Sequence, residues 1–245
     1  MGLSFLRIRS FTPLRILLVI LAVVGCGYSI VSNQQLSAAR EEHMELRKQV
    51  GYLKVDDPGK VVVAQIPASD EVVPPFVHQA HVRRFRIHIP SNYGPCFKMQ
   101  RGLVSANSPR GQGGSGSSWS MGNSEPEEVL STMALFKHGD KWLMCRSSDG
   151  SSSTSSLPKD FVIENLDDFV IDTPVSIGDE ARVIDKDEAI CLLRFREKEL
   201  AKKRSGQPRE DLYRGFAVYL FSAKHRDAFE AWANGKVDSM KEFQP

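Results

Sequence analysis

Residues 82–89 read VRRFRIHI, and this stretch decides the fold class because apolar and basic side chains alternate along it. Every second residue from Phe85 to Ile89 is apolar, and the residues between them are basic. A period of two is typical of a β-strand with one buried face. Pro90 ends the strand, since proline lacks the N–H that a sheet ladder needs.

Further segments of β-branched and aromatic residues lie along the rest of the chain. The candidate strands cover residues 60–66, 96–104, 129–137, 141–146, 161–163, 169–171, 182–184, 189–196 and 212–221. His138-Gly139-Asp140 separates two of them and is a hairpin signal. Many short strands at such spacings predict a mainly β domain, either a β-sandwich or a barrel-like domain.

One helix is predicted after the last strand. Ser222 is the candidate N-cap, and Ala228, Phe229 and Trp232 supply an apolar face. Asn234-Gly235 predicts the end of the helix, because glycine readily adopts the left-handed conformation found there. We expect this helix to cover a face or an edge of a sheet.

Three segments lack the composition of regular structure. Residues 107–124 and 147–156 are rich in glycine and serine, and residues 197–211 are rich in charge. The first two are expected to be disordered loops, because they hold too few apolar side chains to offset the entropy of ordering. The third is expected to be a charged loop.

The predicted exported domain runs from residue 56 to residue 245.

An apolar run near the N-terminus predicts the compartment. Residues 16–31 read ILLVILAVVGCGYSIV, behind three arginines. A helix over residues 14–31 has about the minimum length for a transmembrane anchor. The arginines predict a cytoplasmic tail of residues 1–13 and an extracytoplasmic domain. Two alternatives export the same domain: a lipoprotein lipidated at Cys26, or a cleaved secretory signal.

A helical stalk is predicted over residues 32–55. Its apolar residues alternate at spacings of three and four, as in a coiled coil. Small residues continue this face back into the anchor, where they let membrane helices approach closely. Homodimerisation would use a seam of Ala22, Gly25, Ser29, Leu36, Ala39, Leu46, Val50 and Leu53. The alternative is that the stalk packs on the domain that follows it.

Three cysteines follow the anchor, namely Cys96, Cys145 and Cys191. An oxidising compartment permits one disulfide with one thiol left over, and spacing leaves all three pairings open. Three buried thiols are the other interpretation.

Four motifs carry a resemblance to known proteins. They are ELR-x-x-VGYL-x-VDDP at residues 45–58, RFRIHIP at 84–90, LLRFR at 192–196 and GFAVY at 215–219. With the apolar run before them, they resemble uncharacterised signal-anchored proteins of planctomycete bacteria. The resemblance implies an anchored, β-rich exported domain after a short coil. It implies no activity and carries no catalytic residue.

Charge is distributed unevenly. Residues 72–124 hold six Lys or Arg and no Asp or Glu, whereas residues 125–190 hold fifteen acidic residues against six basic ones. The candidate cationic face consists of Arg83, Arg84, Arg86, Lys98 and Arg101. An exposed face would favour an anionic envelope ligand, such as a glycan, a lipid headgroup or an acidic partner. The alternative is pairing with the acidic segment across a sheet.

Motifs with known chemistry fail on their context. Gly111-x-Gly113-x-x-Gly116 has no helical pattern behind it, as a dinucleotide site requires, and His78, His81 and His88 have no acidic or cysteine ligand nearby. We therefore predict no cofactor and no metal, and a net charge of +2 argues against a nucleic-acid partner. The sequence favours a membrane-anchored binding or scaffolding module. The alternative is a hydrolase whose catalytic residues converge only in the fold.

Overall fold

The computed structural model describes Tyr28, Ala39 and residues 31–37, 53–68, 80–148, 151–157, 161, 163, 166–202 and 208–243. The chain divides into two compact units, Met1–Arg47 and Lys48–Pro245. The described residues of the first unit are helical and exposed. The predicted cytoplasmic tail and most of the predicted anchor and stalk lie outside the described residues.

Within the described ranges, no helix combines the length and the apolar character that crossing a membrane requires.

The second unit is built from β-strands. In its described residues they are β1 (Val61–Ile66), β2 (Ala80–Ile89), β3 (Pro95–Ser105), β4 (Gly111–Trp119), β5 (Glu127–His138), β6 (Lys141–Ser148), β7 (Ser151–Ser156), β8 (Phe169–Asp172), β9 (Arg182–Ile184), β10 (Ile190–Lys202) and β11 (Pro208–Ser222). The first sheet has the order β7-β6-β5-β2-β1-β9, and the second has the order β4-β3-β11-β10-β8. All pairings are antiparallel. The predicted mainly β fold is confirmed, and the two sheets are consistent with a β-sandwich.

The main core lies between the two sheets. Phe85, Ile87 and Ile89 of β2 are buried, as their alternation predicted. Opposite them the second sheet contributes aromatic rings, with the Phe195 ring stacked between Phe169 and Phe216 at centroid distances of 4.5 and 5.3 Å. Burial of such rings is the main stabilising contribution to the fold.

A helix, Arg226–Ala233, covers the outer face of the second sheet. The Phe229 ring of the helix stacks on Phe221 of β11 at 4.2 Å between centroids. The predicted end is confirmed: Gly235 has φ +70°, and the N–H of Lys236 donates to the carbonyl of Ala231 at 2.9 Å. This bond satisfies a carbonyl that the last turn would otherwise leave unpaired.

The predicted cap of this helix is wrong. The Ser222 hydroxyl donates to the Tyr93 carbonyl, and it makes no cap hydrogen bond. A 3₁₀ turn, Ala223–His225, separates Ser222 from the helix. Ser222 therefore joins β11 to the turn before β3.

The glycine- and serine-rich segments hold strands where disordered loops were expected. Gly111–Trp119 pairs with β3, and Ser151–Ser156 pairs with β6. The neighbouring strand supplies backbone partners whatever the side chains are, which composition alone does not reveal. The expected charged loop is likewise shortened, since β10 extends to Lys202 and β11 begins at Pro208.

Leu53, the last residue of the predicted seam, packs on the sandwich. It is not helical, and it is buried against Val62 and Ala64 on the outer side of β1. This position therefore follows the alternative in which the stalk packs on the domain. Leu36 and Ala39 of the seam are helical and exposed, and the other seam residues lie outside the described ranges.

Cys96, Cys145 and Cys191 are free thiols, so the disulfide interpretation is wrong. They lie on three different strands, β3, β6 and β10. Burial raises the pKa of the Cys191 thiol to about 11 and also raises the pKa of Cys96. Both are therefore unreactive neutral thiols at pH 7.

Candidate functional site

The five basic residues predicted to form one face belong to two sheets. Arg83, Arg84 and Arg86 lie on β2 in the first sheet, whereas Lys98 and Arg101 lie on β3 in the second. The five residues therefore do not lie on one face of one sheet. The chain crosses from one sheet to the other between β2 and β3, and charge counting does not reveal such a crossing.

On β2 the pairing alternative holds for Arg86. Its Nε lies 2.8 Å from Glu128 Oε1 on the adjacent β5, which belongs to the acidic segment. Arg83 donates through Nη1 to the carbonyl of Val82 at 3.1 Å. Arg86 thus takes part in a partly exposed cross-strand ion pair, which contributes at most about 1 kcal/mol.

Lys98 serves to attach the helix. Its side chain is buried, its ammonium pairs with the Glu230 carboxylate of the helix, and it lies 5.6 Å from the centroid of Phe229. A lysine held by these contacts is a structural cation between sheet and helix.

Two arginines bridge the two sheets at the side of the sandwich formed by the edge strands β4 and β7. Arg101 donates through Nη1 to the Ser156 carbonyl of β7 at 3.0 Å. Arg146 of β6 donates through Nη1 to Ser118 Oγ of β4 at 2.8 Å. The guanidinium carbon of Arg146 also lies 3.5 Å from the ring centroid of Phe97.

Sequence reasoning missed Arg146, although a signal was present. Trp142, Met144 and Arg146 share one face of a predicted strand by the period of two, and the first two are buried. An arginine is rarely buried, so its presence at the third position of an apolar inward face indicates a candidate functional site.

A cavity of about 170 Å³ opens beside Arg146, between the sheets. We call it the edge cavity. Four apolar residues form what we call its floor, and glycine and serine residues of β4 and β7 form its walls. Arg146 lies on the side that we call its mouth, because a second cleft also bordered by Arg146 adjoins the cavity. The lining residues are Phe97, Met99, Met144, Val218, Gly116, Ser117, Ser118, Ser153, Ser155 and Arg146.

A second, more open cleft of about 230 Å³ adjoins the edge cavity. The two share Phe97, Ser118 and Arg146. The cleft extends to Glu127 and to Trp119, whose side chain is 58% exposed. Arg146 therefore faces both an apolar recess and a polar surface with an exposed aromatic ring.

Arg146 is a desolvated cation. Burial lowers its pKa from 12.5 to about 10, so the guanidinium stays protonated at pH 7. Its Nε is buried and has no hydrogen-bond partner. Among the described residues, no carboxylate forms an ion pair with it. Such a cation favours binding of an anion, because a charge out of water is costly until it is paired.

Arg194, a second buried arginine, has a structural role. Its terminal nitrogens donate to the Ala106 carbonyl and, at 3.4 Å, to the Tyr219 hydroxyl. Tyr219 in turn donates to the Ser108 carbonyl at 3.1 Å. Arg194 thus holds the loop between β3 and β4.

The hydroxyl of Ser105 is engaged in a turn. It donates to the Asp211 carboxylate and accepts the backbone N–H groups of Asn107 and Ser108, both at 3.2 Å. These bonds order the loop after β3, and they are not those of a nucleophile activated by a base.

The glycine motif and the histidines, whose sequence context argued against a cofactor or a metal, lie at the following places. Gly111 to Gly116 lie in β4, which the strand β5 follows. Gly113 has φ +138°, and a Cβ there would come within 2.2 Å of the Arg101 carbonyl oxygen, so close strand pairing explains this glycine. In the described part of the chain, no three His, Cys, Asp or Glu side chains are grouped to hold a metal. His78 lies outside it.

No protein-family model, no curated protein and no solved structure matches the chain.

Proposed function

We propose that the chain is a single-pass membrane protein whose exported β-sandwich binds an anionic ligand at Arg146. In this proposal residues 14–31 form the anchor, and a helical stalk begins at residue 32 and ends before Leu53, which is not helical. The N-terminus is cytoplasmic and the domain lies at the cell envelope. The uninterrupted apolar run and the arginines before it support this topology. The resemblance to planctomycete signal-anchored proteins supports the same arrangement.

The observation that carries the binding proposal is the state of Arg146. The guanidinium is stacked on Phe97, loses most of its hydration and borders two connected recesses. Of the N–H donors that the planar guanidinium offers in pairs, Nη1 is bonded to Ser118 and the buried Nε has no hydrogen-bond partner. A carboxylate or phosphate binds such a planar donor pair through two parallel hydrogen bonds.

Binding of simple anions by the full-length chain tests this proposal. Sulfate and acetate are titrated into the purified protein at low ionic strength, and binding is followed by calorimetry. We expect weak binding that is lost in Arg146→Gln and retained in Arg182→Gln. The control removes the same charge from β9, at the opposite edge of the first sheet. Equal affinities in the two variants would show general charge attraction and would reject the site.

Protease treatment tests the topology. Cleavage of the domain in spheroplasts, with protection of the N-terminal tail, supports the exported arrangement, and protection of the domain rejects it. Labelling with a palmitate analogue that is lost in Cys26→Ser would identify the lipoprotein alternative.

A homodimer through the anchor and stalk is part of the proposal. Leu36 and Ala39 support it, because both are helical and exposed. Leu53 is buried in the second unit, so the proposed seam ends at Val50. A disulfide-linked dimer of Leu46→Cys in membranes is the expected result, and its absence rejects the dimer.

A further inference from the structure

The edge cavity differs from the rest of the interior in how it is walled. At the centre of the sandwich the space between the sheets is filled by large side chains, such as the stacked rings of Phe169, Phe195 and Phe216. Beside β4 and β7 the walls are glycine and serine. A Cβ added at Gly116 would meet no atom within 4 Å. The space therefore exists because these two strands lack side chains large enough to occupy it.

The floor of the edge cavity is suited to an apolar group. Phe97, Met99, Met144 and Val218 form it, and all four belong to the main hydrophobic core or pack against it. A volume of about 170 Å³ is close to that of engineered apolar cavities that take up benzene, which hold about 150 Å³. The cavity therefore fits an apolar body of about six carbon atoms.

The cation borders both the edge cavity and the open cleft that adjoins it. Arg146 lies at the mouth, with its Nε unpaired and its Nη1 held by Ser118. The serine hydroxyls of Ser153 and Ser155 add polar groups on the β7 wall. An apolar floor with one oriented cation at the rim matches a molecule that is apolar at one end and anionic at the other.

We propose that the edge cavity binds a carboxylate with a short apolar body, which lies between β4 and β7 while its carboxylate pairs with Arg146. This inference rests on the proposed function, since it takes Arg146 as the anion site and adds the chemistry of the remainder of the ligand. Hexanoate is the simplest probe of this class.

The test is calorimetric titration of the full-length chain in detergent with acetate, butyrate, hexanoate and hexanamide. Variants in the same micelles correct for partitioning of the probes. We expect affinity to rise about fourfold for each methylene added, the effect of burying one such group in an apolar site. Hexanamide should bind at least tenfold more weakly than hexanoate, because it has the same body but no charge.

Gly116→Val separates the two parts of the inference. The new side chain occupies the cavity and should remove the dependence on chain length, while acetate binding at Arg146 is retained. Ser115→Val is the matched control, since it lies on the same strand with its side chain on the opposite face. It should bind hexanoate as the unmodified protein does.

The outcomes distinguish this inference from the proposed function. Equal affinity for acetate and hexanoate, both dependent on Arg146, would overturn the inference and leave the anion site in place. Equal affinity for hexanamide and hexanoate would overturn both, as would the absence of binding by every anion. A fall of the hexanoate affinity to that of acetate in Gly116→Val but not in Ser115→Val would establish the cavity as the site of the apolar body.

Discussion

Replacement of Arg146 by methionine should leave the free energy of unfolding within about 1 kcal/mol of its original value, although it removes a partly buried charge. A pKa lowered from 12.5 to about 10 corresponds to a desolvation cost of about 3 kcal/mol. Partial exposure of the side chain reduces this to about 2 kcal/mol. Relief of this cost offsets loss of the cation–π contact with Phe97, about 1 kcal/mol, and of the hydrogen bond to Ser118, about 1 kcal/mol.

Lys98→Met is the matched comparison for this prediction. Like Arg146→Met, it removes a cation that contacts a phenylalanine ring. Unlike Arg146→Met, it leaves the Glu230 carboxylate without its ion-pair partner. Because the Glu230 side chain is 38% exposed, we expect a loss of about 1–2 kcal/mol, less than for a fully buried pair. Urea unfolding of the full-length variants, followed by tryptophan fluorescence, measures both changes.

A loss in Arg146→Met as large as that in Lys98→Met, about 1–2 kcal/mol or more, would refute this prediction, because Arg146 would then be a structural residue like Lys98. Addition of ligand gives an independent check. An anion at ten times its Kd should stabilise the unmodified protein by about 1.4 kcal/mol and Arg146→Met not at all.

Three other variants or conditions test separate parts of the structure. Gly116→Val should raise the free energy of unfolding by about 1 kcal/mol in denaturant titrations, because the new side chain fills space and restricts the unfolded chain. A lower free energy of unfolding would show that the cavity is already filled. Gly235→Ala should lower it by about 1 kcal/mol, because the residue after the helix has φ +70°; an unchanged midpoint would contradict the role of that conformation. Burial lowers the pKa of both His81 and His225, so the unfolded chain binds protons first as the pH falls through 6.5. Stability is therefore complete above pH 6.5 and declines below it. Thermal melting between pH 7.5 and 5.5 should show this decline, and it should be smaller when both histidines are replaced by glutamine.

The sequence predicted the features that depend on local chemistry. The alternation in β2 set its buried face, and Gly235 ended the helix, because each depends on neighbouring residues alone. Ser222 shows the limit of predictions from local sequence. A serine before an apolar helix is a typical cap, yet the Ser222 hydroxyl bonds to Tyr93, which is distant in the chain. Tertiary contacts overrule local preference at such positions.

Local sequence patterns also do not show which residues the candidate site brings together, because tertiary contacts decide this. Lys98 and Arg101 are close in sequence to the arginines of β2, but the chain changes sheets between them. The period of two places Arg146 on the inward face of its strand, but only the fold brings β6 opposite β4, where Arg146 bonds to Ser118. Period-two patterns assign a face within one strand, whereas they do not assign partners across sheets.

Two destabilising features lie side by side at one edge of the sandwich. Edge strands of glycine and serine leave a recess over an apolar floor, and a cation with reduced hydration stands at its mouth. Neither the recess nor the cation stabilises the fold. Larger side chains would fill the recess, and a methionine would replace the arginine with little loss of stability. Locally unfavourable choices that coincide in space are expected at functional sites, where a ligand supplies the missing contacts. Here the missing contacts are an apolar body and a negative charge, so one amphiphilic anion would satisfy both.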